Sequence, residues 1–219
     1  MKKGIKFLLL CFTTVVVSFC LTIAVYAYNY ANEGLKTVPT NIYFTDKLIA
    51  KENYYDRCVS AMETWNNTCF SYDCFDYKGM TIAPFYELDE DNNMVTDGKN
   101  TITSVLGYSQ YQGVTNVYTE STGILWWKKT YIVEYDINLN SNVFWFVGEN
   151  AQDLINGTEY RYDLESVVLH ELGHALGLDH SDTEYTATGQ RIVMYAYTST
   201  RTVFSQLSAD DRLAVVNLY

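Results

Sequence analysis

The chain has 219 residues, of which 48% are hydrophobic and 19% charged, with 20 Tyr, 10 Phe and 4 Trp. That length supports one ordinary domain with a short appendage, and the aromatic content without low-complexity tracts excludes intrinsic disorder. Fifteen Lys and Arg against 26 Asp and Glu give a net charge of −11 and a pI near 4.6, a surface that repels phosphate backbones, so no nucleic-acid partner is expected.

The chain opens on Lys2, Lys3 and Lys6, followed by an uncharged apolar stretch from Phe7 to Ala27. A positive start, an apolar middle and small residues at Val25-Tyr26-Ala27 read as a signal peptide over residues 1–27. The apolar stretch is also long enough to cross a bilayer as a helix, so an uncleaved anchor over residues 7–27 is the other reading. Either one places residues 28–219 outside the cytoplasm, with membrane association only through residues 7–27. Three cysteines then follow, Cys58, Cys69 and Cys74. An odd number permits one internal bridge, Cys69–Cys74 or Cys58–Cys74, or three reduced thiols.

Asn41–Thr45 alternates like a strand, and a helix of some twenty residues is expected from Thr45 or Asp46 toward Trp65. Its apolar face would carry Tyr55, Val59, Met62 and Trp65. The middle of the chain reads as strands and turns, with turn signals at Asp89–Asn93 and Asp97-Gly98. Trp126-Trp127-Lys128-Lys129 reads as a hairpin with one buried Trp, or else as an exposed aromatic–basic patch for a polymer or a membrane. Strands are expected over Thr130–Asn138 and Asn142–Val147, the latter followed by an interruption at Asn156-Gly157. A second helix opens at Asp163, a good N-cap, with Val167, Val168, Leu169, Leu172 and Leu176 on its apolar face. A third closes the chain, with a capping box at Ser208–Asp211 before Leu213, Val216 and Leu218. Strands first and helices later indicate an α+β domain without internal repeats.

The chain has three His, and all fall within His170-Glu171-Leu172-Gly173-His174-Ala175-Leu176-Gly177-Leu178-Asp179-His180. Two His at i and i+4 share one helix face, so both imidazoles can reach one ion. A third ligand six residues later requires the chain to leave the helix. Gly177 is the residue that can take the left-handed conformation needed to do so. His170, His174 and His180 therefore form a candidate zinc site with one coordination position left for water. Glu171 is not needed as a ligand and is placed to act as general base on that water.

This motif, His-Glu-x-x-His-x-x-Gly-x-x-His, resembles the signature of the metzincin zinc endopeptidases, in which a Met-containing turn passes beneath the metal. Val193-Met194-Tyr195 resembles that turn, and Ser181 after the third His points to the matrixin branch, close to the small bacterial members. The likeness is clearest over residues 130–219, where Glu134–Asn138 and Leu207–Tyr219 also resemble family segments. It implies a zincin-like fold: a twisted mixed sheet with an active-site helix and a C-terminal helix. It also implies a single catalytic Zn2+, a protein or peptide substrate, and a monomer. Secretion, or anchoring at the membrane with the domain outside, completes the expectation.

Four departures from the family pattern stand out. The stretch from His180 to Met194 is longer than usual, so Thr183–Arg191 is expected to form a surface loop near the cleft. Ala196 stands where a Pro usually follows Met-Tyr. All three His are used, so the family's second, structural zinc is not expected. Arg57-Cys58 echoes a latency sequence but falls inside a predicted helix and reads as structural. Acidic residues and Asn at Asp89, Asp91 and Asn93 could serve calcium, but a single acidic turn of this kind reads as a solvated loop and calcium is not expected there.

Overall fold

A computed structural model describes residues 30, 33–68, 73–82, 96–105 and 110–219. The leader over residues 1–27, the acidic turn at Asp89–Asn93 and Cys69 lie outside the described residues. Strand β1 (Thr40–Thr45) leads through a short helix α1 (Asp46–Ile49) into helix α2 (Tyr54–Asn66). Strands β2 (Phe75–Thr81), β3 (Asn100–Val105), β4 (Gly113–Thr122) and β5 (Lys129–Asn140) complete one sheet. Then come β6 (Trp145–Phe146), helix α3 (Ala151–Asn156), β7 (Tyr162–Asp163), helix α4 (Leu164–Ala175) and helix α5 (Ala209–Leu218).

The five-stranded sheet runs β2-β1-β3-β5-β4. Its first four strands are mutually parallel, and β4 lies antiparallel to β5 at the edge. Ahead of the start of β3, residues 33–36 take a place beside β5. There Glu33 N–H donates to the Thr130 carbonyl at 2.9 Å, and Ile132 N–H donates to the Gly34 carbonyl at 2.8 Å. Helices α2 and α4 pack on the same sheet, burying Ile42, Phe44, Ile102, Ile137 and Leu139 against Met62, Trp65, Val168, Leu169 and Leu172. Burying these side chains is what holds the helices on the sheet, at about 25 cal/mol per Å² of apolar surface removed from water. The mixed α/β architecture matches the expected class.

Several expectations change in detail. The single long helix toward Trp65 is broken at Ala50–Asn53, where Asn53 takes φ 62° and the chain turns before re-entering a helix. The buried face of α2 is Tyr54, Cys58, Ala61, Met62 and Trp65, so Tyr55 faces outward and stacks edge-on with Tyr77. The strand expected over Asn142–Val147 shrinks to Trp145–Phe146, because the chain there makes only a short parallel pairing with β7. On α5 the inward positions are Asp211, Ala214 and Val215 in place of Leu213 and Val216.

Cys58 is free and buried within α2, whereas Cys74 is disulfide-bonded, which removes the Cys58–Cys74 pairing. Burial raises the Cys58 thiol, and Arg57 beside it donates to Glu165 of α4 at 2.9 Å, tying the two helices together. Both Trp126 and Trp127 are exposed, which overturns the reading of a hairpin with one of them buried.

Candidate metal centre and active-site cleft

Helix α4 starts where Asp163 accepts the Ser166 N–H at 2.9 Å and the Ser166 hydroxyl. It carries His170, Glu171 and His174 on its last two turns. The helix stops after Ala175, and Gly177 takes φ 99°, the left-handed C′ conformation that the spacing required. Gly177 N–H returns to the His174 carbonyl at 2.9 Å and Leu178 N–H to the Gly173 carbonyl at 3.0 Å, closing the helix end. That turn brings His180 back beside the other two imidazoles.

The three His Nε2 atoms converge. His174 Nε2 lies 3.1 Å from His170 Nε2 and 3.2 Å from His180 Nε2. His170 Nδ1–H donates to the Val193 carbonyl at 2.7 Å, and His174 Nδ1–H donates to the Leu178 carbonyl at 2.8 Å. A carbonyl cannot donate, so these bonds place the proton on Nδ1 and leave the Nε2 lone pairs facing one another. Burial acts in the same direction, lowering both His170 and His174 to about 4 and holding them neutral near pH 7. Lone pairs aimed at one point repel unless a cation sits among them, so the donor set fits a zinc ion.

Beside this cluster the Glu171 side chain is buried, with burial raising its pKa. Thr115 of β4 donates its hydroxyl to Glu171 Oε2 at 2.6 Å. Two residues earlier, a Cβ on Gly113 would stand 2.8 Å from Glu171 Oε1 and 2.9 Å from its Cγ, so only glycine leaves the carboxylate its room. Neither Gly113 nor Thr115 was singled out from the sequence. Each meets Glu171 only because the β4–β5 register brings the strand start over α4, and no local pattern announces that.

The segment Val193-Met194-Tyr195 crosses beneath the cluster. Met194 packs so closely under α4 that a Cβ on Gly173 would lie 2.2 Å from its sulfur. The motif's Gly173 thus has a packing reason that spacing alone did not reveal. Asp211 of α5 completes the capping box with Ser208. It also accepts the Val193 N–H at 3.0 Å and the Met194 N–H at 3.3 Å, pinning the turn to the last helix.

A cleft of about 470 Å³ opens over these residues, bordered by Gly113–Thr115 on one side and Tyr195–Thr198 on the other, with Val167 and Phe204 lining its interior. The expected loop after His180 is a small hairpin, with Tyr185 bridged to Arg191. Arg191 leaves it to pair with Glu184 and to donate to the Tyr197 carbonyl at 2.6 Å. Its guanidinium also lies over the Phe204 ring at 4.8 Å.

A family model for matrixins matches residues 41–219, more than half of the sequence and all of this site. The chain belongs to the matrixin family. It is also 39% identical over 83 residues to Metalloendoproteinase 1-MMP of Arabidopsis thaliana, a match covering 38% of this chain. The matched region spans 20% of that relative's length.

Proposed function

We propose that this matrixin is a zinc-dependent endopeptidase that hydrolyses internal bonds of proteins or peptides outside the cytoplasm. The observation that carries the reading is the convergence of three imidazole nitrogens beside a buried carboxylate, opening into a cleft bordered by a sheet edge. His170, His174 and His180 would hold the ion. When bound, zinc polarises a carbonyl and lowers the pKa of its water toward 7.

The rest of the chemistry belongs to the chain. Thr115 occupies Oε2 of Glu171, which leaves Oε1 to take a proton from the attacking water and pass it to the departing amine. The substrate strand would lie along the outer edge of β4 at Gly113–Thr115, adding to the sheet through backbone hydrogen bonds. Tyr195 and Tyr197 face it from the other wall. Gly177 and Met194 serve the site indirectly, the first by returning His180 and the second by supporting the helix from below. Location outside the cytoplasm rests on the apolar leader, and calcium has no role in this reading.

The test is cleavage of a quenched mixed-peptide library by residues 28–219 loaded with zinc, beside Glu171→Gln and a chelated control. Cutting at internal bonds by the wild type alone, with about one zinc retained in the variant, supports the reading. Stoichiometric zinc without cleavage would reduce it to a metal-binding protein, and failure to bind zinc would overturn it.

A further inference from the structure

The hairpin joining β4 to β5 ends in residues that the cleft does not use. Gly123 turns at φ 89°, and a Cβ there would strike the Trp127 carbonyl oxygen at 2.3 Å, so the chain folds back through one 3-10 turn at Leu125–Trp127. That turn directs Ile124, Trp126 and Trp127 into solvent, 76%, 81% and 74% exposed. Lys128 and Lys129 follow directly. The nearby carboxylates are already engaged, Glu120 with Lys36 and Glu33 with Lys129. Lys128 therefore leaves the tip locally cationic on a chain whose net charge is −11.

Two bare indoles beside an Ile and an unneutralised Lys are an unfavourable surface in water. They suit one environment well. An indole is favoured where headgroups meet acyl chains, and an adjacent ammonium gains from lipid phosphates. A sugar polymer would use the indole faces but would leave Ile124 and Lys128 without a role.

We infer that the β4–β5 hairpin tip is a membrane-docking element that inserts Trp126 and Trp127 into the headgroup boundary of a phospholipid bilayer. Thr115 lies seven residues from Thr122 along β4, so docking would hold the cleft about 24 Å from the tip, clear of the lipid.

The protein carries its own reporter. Trp65 and Trp145 are buried, with their indole N–H groups bound to the Leu169 and Asn140 carbonyls, so a change in emission on adding lipid reports the exposed pair. The described core runs from Leu35 to Val215, so residues 28–219 retain all of it without the apolar stretch. Mixed phosphatidylcholine–phosphatidylglycerol vesicles should shift the emission to the blue, and brominated acyl chains should quench it. The double variant Trp126→Ala/Trp127→Ala should lose at least about tenfold in partitioning while its thermal unfolding is unchanged. Lys128→Glu should weaken binding to the mixed vesicles more than to pure phosphatidylcholine. Absence of partitioning, partitioning that survives the double variant, or Trp-dependent binding to an insoluble polysaccharide or to a second copy without vesicle binding would each overturn the inference. None of these readouts depends on peptidase activity.

Discussion

Glu171 is held by two residues that supply no metal ligand. The Thr115 hydroxyl fixes one carboxylate oxygen, and the missing Cβ of Gly113 gives the group its place. Thr115→Val keeps the volume and removes the hydroxyl. A hydrogen bond to a charged group is worth about 1.5–3 kcal/mol, so kcat should fall roughly tenfold to a hundredfold with KM and zinc content unchanged. Titrating both variants with a peptide substrate and measuring bound zinc checks this; equal loss in KM would place Thr115 in substrate binding instead. Away from the cleft, Asp136 is pushed up to about 6, first by burial and then by the nearby Glu134 and Asp97 charges, against the opposing bond from Thr101. Its folded value thus lies above the ordinary carboxylate value near 4. The stability this group contributes is therefore present below about pH 4 and is lost as pH rises through about 6. Asp136→Asn keeps an acceptor for Thr101 and should raise the urea midpoint relative to wild type at pH 7.5. The advantage should vanish by about pH 4, and a pH-independent difference would contradict it. The ligand triad and Glu171 were legible because their spacing is local to one helix and its exit turn. Gly113, Thr115 and the second role of Asp211 were not, since each meets its partner across 17 to 58 residues of sequence.

At the scale of elements, local signals worked where they did not depend on distant packing. Asp163 and Ser208 announced two helix starts through side chains that bond within three residues. The break at Ala50–Asn53 gave no such sign, because its cause is the left-handed Asn53 and the packing of α1 under the sheet. The hairpin after His180 illustrates both sides. Its position follows from the long spacing to Met194, yet its attachment depends on Arg191, which reaches from the hairpin to the cleft wall. The guanidinium pairs with Glu184, donates to the Tyr197 carbonyl and lies over Phe204. This fork-shaped group ties the hairpin to the cleft wall beside Ala196. Arg191 is a positioning residue. Arg191→Ala should raise KM several-fold to about tenfold with kcat and zinc content nearly unchanged. Arg191→Lys should recover little, because a point charge cannot make the same pair of bonds and stack. Loss of zinc in either variant would show that the residue supports the metal site itself.

For the whole molecule, the question is how far the fold depends on its metal. The core elements β1, β3, β5, α2 and α4 bury one another without passing through the His cluster. His170 and His174 are held in place by the Val193 and Leu178 carbonyls, so two ligands are preorganised by backbone alone. His180 is the exposed member, at the end of the turn. The chain is also long enough for its apolar surface to sustain a fold without a metal. Removal of zinc should therefore leave a cooperative unfolding transition, in contrast to small domains that are unfolded without their ion. Binding to the folded state alone stabilises by about 4 kcal/mol at a thousandfold excess over Kd. For a domain of this size that corresponds to a fall of roughly 8–16 °C in Tm on chelation, restored by adding zinc back. The same fall should be absent in His180→Ala if that ligand is needed for tight binding, and its metal-free Tm should match that of chelated wild type. A chelated protein with no cooperative transition would mean that the site holds the fold together, and that the hydrophobic layers around α4 are insufficient on their own.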